Sequence, residues 1–316
     1  MVRAPLLSQA MARQIGGLQA RIEYAGIAAG LGVLRSLSRE RAFKLGERLG
    51  AMAMRIDRPN RAIAMKNLEI AFPEKSIAER LEIIRGMYRN WGRMVGEWAH
   101  MGELNRSNIE QYAVYEGKEY WDEGERMSQG RGGLVLSAHF GNFELMLLAH
   151  SIYGYRIGLV YRPLRNPLID NAVREARIRN GNGIVARKGA GMEMMRLLQK
   201  NWHVGVPLDL DVRRGVFVDF FGKLASTSDG VARLARATGA PVVPCFMVRE
   251  GDTMRHKIQI QPPIEIVKTN DAEADRHENT QRFQKAIEKA IREHPDHWNW
   301  IHRRWKTRPK GEARFY

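Results

Sequence analysis

The run Ser137-Ala138-His139-Phe140-Gly141-Asn142-Phe143-Glu144 sets an imidazole five residues ahead of a carboxylate. Leu134-Val135-Leu136 before it reads as a buried strand, and residues 145–149 after it read as a helix. On one ideal helix a five-residue step turns the chain by about 500°, so the two side chains would diverge. Across a strand-to-helix corner they can meet, with Gly141 free to take unusual backbone angles. A carboxylate that holds an imidazole in one tautomer yields a general base able to take a proton from a hydroxyl. The plainer alternative is a structural or solvated His–Glu pair. Position favours chemistry, because open α/β sheets place their ligands outside the carboxyl ends of their strands.

The elements around that corner must be arranged to serve it. The chain reads as helical over about its first 120 residues, and a capping box at Ser76 and Glu79 opens the clearest helix. Ile77, Leu81, Ile84, Tyr88, Trp91, Val95 and Trp98 form the stripe expected to be buried there. From Gly132 onward strands and helices alternate. Strands are expected at 134–137, 157–161, 184–186, 204–208, 216–220, 242–248, 257–261 and 264–267. Helices are expected near 143–152, 168–180, 192–200 and 229–238, and a last amphipathic one carries Phe283, Ile287, Ala290 and Ile291 and stops before Pro295. This pattern predicts an α/β fold: a largely parallel central sheet flanked by helices, with an N-terminal helical region. Residues 1–125 are expected to be a helical, membrane-associating region packed on the core, and 126–316 the α/β core with its C-terminal helix, together one continuous domain.

On such a sheet the polar residues become sorted. His139 follows the first strand, Arg162 and Arg165 the second, Arg187 and Lys188 the third, and Asp209 and Asp211 the fourth. Parallel strands would bring all of them to one edge, giving a cleft with a central base among cations. Such a cleft suits a hydroxyl acceptor that carries phosphates or acidic groups. A formal charge of +16 over 316 residues favours anionic partners in general: nucleic acid, an acidic membrane, an acidic protein or a phosphorylated substrate. The 44% apolar content excludes general disorder.

The single cysteine, Cys245, rules out an internal disulfide, fits a reducing compartment and falls inside a strand as a small core residue. Neither a serine nor a cysteine is placed as a nucleophile and no Gly-x-Ser-x-Gly occurs, so no covalent intermediate on such a residue is expected. The first twenty residues lack the apolar core and cleavage site of a secretory signal. The uncharged stretch 24–34 is shorter than the roughly 20 residues of a spanning helix and reads equally as a buried or an interfacial helix.

Four ordered blocks carry a family likeness. The segment from His139 to Glu144 resembles the His-x4-Asp/Glu motif of glycerolipid and lysophospholipid acyltransferases. In its His-x-Gly-Asn form it is similar to the late acyltransferases of lipid A biosynthesis, lauroyl and myristoyl types, and to phosphatidylinositol mannoside acyltransferases. The blocks 160–167, 215–222 with 240–244, and 298–309 resemble that family's basic, central and C-terminal blocks in order, so the likeness runs from about Tyr24 to near the end. The resemblance implies His139 as general base, Glu144 as its orienting partner, and Arg162 at the acceptor headgroup or the oxyanion. Asp209 matches the aspartate of the family's Asp-Gln pair, although Leu210 stands where glutamine is common and Asp211 follows. It further implies an acyl thioester co-substrate, on acyl carrier protein or coenzyme A, with no cofactor and no metal. The acceptor would be an anionic lipid, a lipid A precursor or a similar glycolipid, and the protein would sit at the cytoplasmic face of a bacterial inner membrane, peripheral or monotopic.

Two rivals come from other readings of the same residues. Arg and Trp interleave from Trp298 to Arg308, as a nucleic-acid or anionic-membrane binding protein would require. That reading leaves the His139 corner unexplained, so no nucleic-acid partner is expected. Acylation of a lysophospholipid or another polar lipid would use the same base with a different acceptor pocket. His294, His297 and His302 with Asp296 lack the spacing of a metal site, and Pro295 interrupts them.

Overall fold

Short polar residues divide the N-terminal part of the chain into helices. Ser38, Asp57 and Ser76 each accept a backbone N–H with the side chain and so start α2 (Arg39–Ile56), α3 (Arg58–Ala71) and α4 (Ile77–Trp98). The Ser76–Glu79 capping box is present as expected. Ahead of these lies α1 (Gly17–Ser36). The computed structural model describes residues 17–186 and 189–316, so the reading of the first residues as free of a secretory signal falls largely outside the described residues.

α2 and α4 pack through glycine, and this corrects the expected stripe. A Cβ on Gly92 would sit 2.1 Å from the Gly46 carbonyl oxygen, and one on Gly50 would sit 2.2 Å from that of Tyr88. Gly46/Gly50 and Gly92/Gly96 thus form two four-residue steps along which the backbones touch. The buried face of α4 therefore runs through Ile83, Ile84, Met87, Tyr88, Gly92 and Gly96, while Ile77 and Val95 are exposed. A hydrophobic pattern could not show this, because glycine adds no apolar signal while allowing the closest approach.

The alternation beyond residue 112 builds a seven-stranded sheet. Its strands are β1 (Ala113–Glu116), β2 (Leu134–Ser137), β3 (Ile157–Tyr161), β4 (Gly183–Ala186), β5 (His203–Pro207), β8 (Val242–Arg249) and β9 (His256–Ile260), in spatial order β1-β9-β8-β2-β5-β3-β4. β8, β2, β5, β3 and β4 run parallel, and β9 and β1 run the other way. The crossovers are α6 (Phe143–Ile152), α7 (Pro167–Ile178) and α8 (Ala190–Gln199); α5 (Lys118–Ser128) precedes β2 and α9 (Gly230–Thr238) precedes β8. A separate antiparallel hairpin, β6 (Val216–Phe220) with β7 (Lys223–Thr227), lies against α10 (Ala272–Glu293). The α/β class and the mostly parallel sheet with a helical N-terminal region are as the sequence predicts.

β2 is buried on both faces: Leu134 and Leu136 join one core and Val135 the other. This central place explains its uninterrupted apolar run. Two strands carry no sequence signal strong enough to predict them, β1 at the sheet edge and β7 in the hairpin. Conversely, 264–267 is no strand; Ile264 makes one isolated bridge to Val242. Because β1 belongs to the sheet, residues before 125 contribute to the core, and a boundary at 125 would fall inside α5. Cys245 is a buried core residue whose thiol is pushed up by burial.

Candidate active site

Register places the central pair. Ser137 at the end of β2 is paired with Pro207 at the end of β5. Two residues on from each, His139 and Asp209 stand side by side on the same sheet edge. Asp209 Oδ1 meets His139 Nδ1 at 2.9 Å, while Asp209 Oδ2 accepts from the His139 backbone N–H and from the Trp298 indole N–H, each at 2.9 Å. Asp209 is 1% exposed. Three bonds to its two oxygens fix the carboxylate, and the carboxylate fixes the ring with Nδ1 inward.

His139 keeps 29% of its side chain open to solvent. The Phe143 ring meets it edge-on at 5.7 Å. Burial disfavours the imidazolium, but the charge and hydrogen bond of Asp209 outweigh burial and raise the ring above its ordinary value. Asp209 shows the reciprocal effect: burial alone would raise it, and His139 with Trp298 hold it well below the usual carboxylate range. The pair therefore stands as a base with a fixed anionic partner, the arrangement that lets an imidazole accept a proton at Nε2.

Glu144 does not orient His139, as the sequence spacing had suggested. α6 begins at Phe143, which puts Glu144 in its first turn facing α7, where Arg177 forks onto it: Nε donates to Oε2 at 3.0 Å and Nη2 to Oε1. Arg177 also lies over the Tyr161 ring at 4.9 Å, and its Nη1 is buried without a partner. Arg177 was missed because nothing in its helical context, Val173 to Ile178, separates it from a surface arginine.

The Glu144–Arg177 pair forms part of the wall of a groove of about 590 Å³ between α1, α6, α7 and the end of α4. Its lining is mostly apolar, including Ile27, Leu31, Trp98, Leu147, Ile169 and Val173. That size falls within the range of small-ligand sites, about 300–1,000 Å³. α1 bridges the groove from end to end. Asn166 Nδ2 donates to Ala20 O and Glu23 Oε2 near one end, and Arg35 Nε donates to Ala99 O at the other.

The remaining expected residues divide. Arg162 and Arg165 lie exposed on the loop after β3, on the same sheet edge as His139. Arg187 and Lys188 lie outside the described residues. Asp211 is not free for a ligand, because its carboxylate takes the Thr307 N–H at 3.0 Å and the Thr307 hydroxyl at 2.9 Å, and its own N–H donates to His302 Nε2 at 2.9 Å.

The C-terminal block is structural support for this corner. Trp298, Trp300 and Trp305 are fully buried, so the interleaved pattern provides no exposed rings for stacking on bases. Asn299 N–H donates to His139 O at 3.1 Å, Gly141 N–H donates to His297 O at 2.8 Å, and Phe140 bridges to Trp298. Gly141 has φ +55°, and a Cβ there would lie 1.8 Å from Met247 O, so only glycine fits this turn.

A family model described as bacterial lipid A biosynthesis acyltransferase matches residues 12–307. The chain is 31% identical over 281 residues to the lipid A biosynthesis palmitoleoyltransferase of Escherichia coli K12, covering 86% of this chain and 87% of that protein. It is 32% identical over 272 residues to the lauroyltransferase of the same organism, covering 85% and 86%. With its myristoyltransferase the identity is 29% over 271 residues, covering 85% and 82%.

Proposed function

The chain belongs to the bacterial lipid A biosynthesis acyltransferase family and is an acyltransferase; from that premise we propose that it moves a fatty acyl group from a thioester to a hydroxyl of a lipid A precursor or similar anionic glycolipid. The observation that carries the mechanism is the His139–Asp209 pair, with Nδ1 held inward on a buried carboxylate and the ring partly open to solvent. His139 Nε2 takes the hydroxyl proton as the oxygen attacks the thioester carbonyl carbon. The carbon becomes tetrahedral and its oxygen carries the negative charge. Arg177, held by Glu144 and close enough for its charge to act on the His139 ring, supplies the positive charge that stabilises this oxygen. The C–S bond then breaks, the departing thiolate takes the proton from Nε2, and an ester is left on the acceptor. Asp209 stabilises the transient imidazolium without itself being protonated.

The groove beside Glu144 and Arg177 takes the acyl chain. Burial of methylenes there favours long donors by about 0.8 kcal/mol per group. The donor is an acyl thioester of acyl carrier protein or coenzyme A, and the cationic surface suits either. The protein works as a peripheral protein on the cytoplasmic face of the inner membrane: α1 exposes Leu18, Ile22, Ile27 and Val33, and no helix among the described residues is long and apolar enough to cross a membrane. Arg162 and Arg165 stand on the rim where an anionic headgroup would arrive.

Lipid mass spectrometry on membranes from cells with and without the protein tests this reading, with His139→Ala as control. An acyl-sized mass gain on a lipid A precursor, absent with His139→Ala, is the expected result. No change in any lipid from well-expressed protein would sink it.

A further inference from the structure

The first turn of α6 decides where Phe143 and Glu144 stand beside His139, and that turn is tied to a helix far from it in sequence. Asn142, 2% exposed, accepts the Leu145 N–H through Oδ1 at 3.0 Å and donates through Nδ2 to Glu97 Oε2 at 2.8 Å. Glu97 lies in the last turn of α4 with its side chain 8% exposed. Arg249, at the end of β8, forks onto it, Nη1 to Oε1 at 2.5 Å and Nη2 to Oε2 at 2.8 Å. Arg249 is fixed in turn by its own N–H to His297 Nε2 at 3.1 Å and by Nη1 to Thr253 O at 2.8 Å.

Two of these links have ordinary structural reasons. The buried Glu97 needs Arg249 for its charge, and the α6 N-terminus needs Asn142 Oδ1 as a cap. The Asn142–Glu97 bond adds a further donor to that carboxylate and satisfies the buried Asn142 amide, and its effect reaches further. What it does is decide which way the Asn142 amide faces, and so the orientation of the turn that follows.

We propose that Glu97 is a positioning residue for acyl transfer: through Asn142 it holds Phe143 against His139 and Glu144 against Arg177. The bond is charge-assisted and buried, which makes it strong and directional. The proposal rests on the acyl-transfer reading above, and misplacement of reacting groups by about 1 Å is worth up to about 10²-fold in rate.

Asn142→Ser tests it without disturbing the other links. Serine still caps Leu145 and leaves the Glu97–Arg249 pair whole, but it is too short to reach Glu97. With full-length protein, a long-chain acyl-coenzyme A and a lipid A precursor, kcat should fall about 10–100-fold while KM for the thioester changes less than about threefold. Undiminished kcat in Asn142→Ser overturns the proposal.

A substrate-free measurement separates this from failure of the reaction assignment. The His139 ring is raised by Glu144 and lowered by Arg177. Its titration, followed by NMR of the imidazole C–H, should therefore shift in Asn142→Ser. An unchanged midpoint overturns the positioning role whether or not acyl transfer occurs. A shifted midpoint in a protein that transfers no acyl group supports the tie and sinks only the reaction.

Discussion

His139 can accept a proton only while neutral, and Asp209 stabilises its charged form. Burial opposes that charge and Asp209 overcomes it, so the ring protonates at a higher pH than an ordinary histidine. Activity should accordingly rise with pH through a midpoint above about 6.5 and then level off, as a kcat/KM profile would record. Asp209→Asn keeps the shape and removes the charge; the midpoint should fall and turnover drop about 10²–10⁴-fold, from loss of the fixed tautomer. His139→Ala should cost a similar factor, about 10²–10⁴-fold, with the fold intact by circular dichroism. Full activity in either variant would remove that residue from the reaction. Both residues were legible in the sequence as groups at strand ends, but their partnership was not. Nearness along the chain favoured Glu144, whereas the contact is set by the pairing of Ser137 with Pro207 across two strands about seventy residues apart in sequence.

At the scale of elements, the sequence was most informative where apolar patterning alone decides the outcome. Strands β2, β3 and β6 and helix α6 fall where their composition placed them. It was least informative where close packing depends on absent atoms, as between α2 and α4. Gly92→Ala puts a methyl on the Gly46 carbonyl and should destabilise the protein by about 1–3 kcal/mol, measured by urea unfolding. An unchanged midpoint would mean that the two helices separate without cost. The groove gives the second test at this scale. Val173 on α7 lines it, and Val173→Trp should shift donor preference toward shorter acyl chains in a competition assay with mixed thioesters. If the product distribution stays the same, the chain lies elsewhere.

For the whole molecule, charge and burial act together. His150 and His256 lie deep in the core, where burial pushes their values down to about 3 and about 4. Unfolding lets both take protons near 6.5, so the unfolded state binds more protons between those limits. Their contribution to stability is full above about 6.5 and is lost as pH falls toward 4 and then 3. His139, raised instead, loses its contribution as pH rises through its midpoint. The urea midpoint should thus be lower at pH 4.5 than at pH 7, and equal midpoints would contradict the buried neutral state. The formal charge of +16 favours anionic partners, and binding to vesicles with anionic lipid should weaken as salt rises. What composition could not reveal is that α1 has two working sides. Tyr24 and Ile27 line the groove and remain exposed, so the groove is open to solvent along this helix. Amphiphiles used to purify the protein therefore meet the same apolar strip that a fatty chain does. Their inhibition should strengthen with tail length, which makes the choice of detergent part of any assay of chain selectivity.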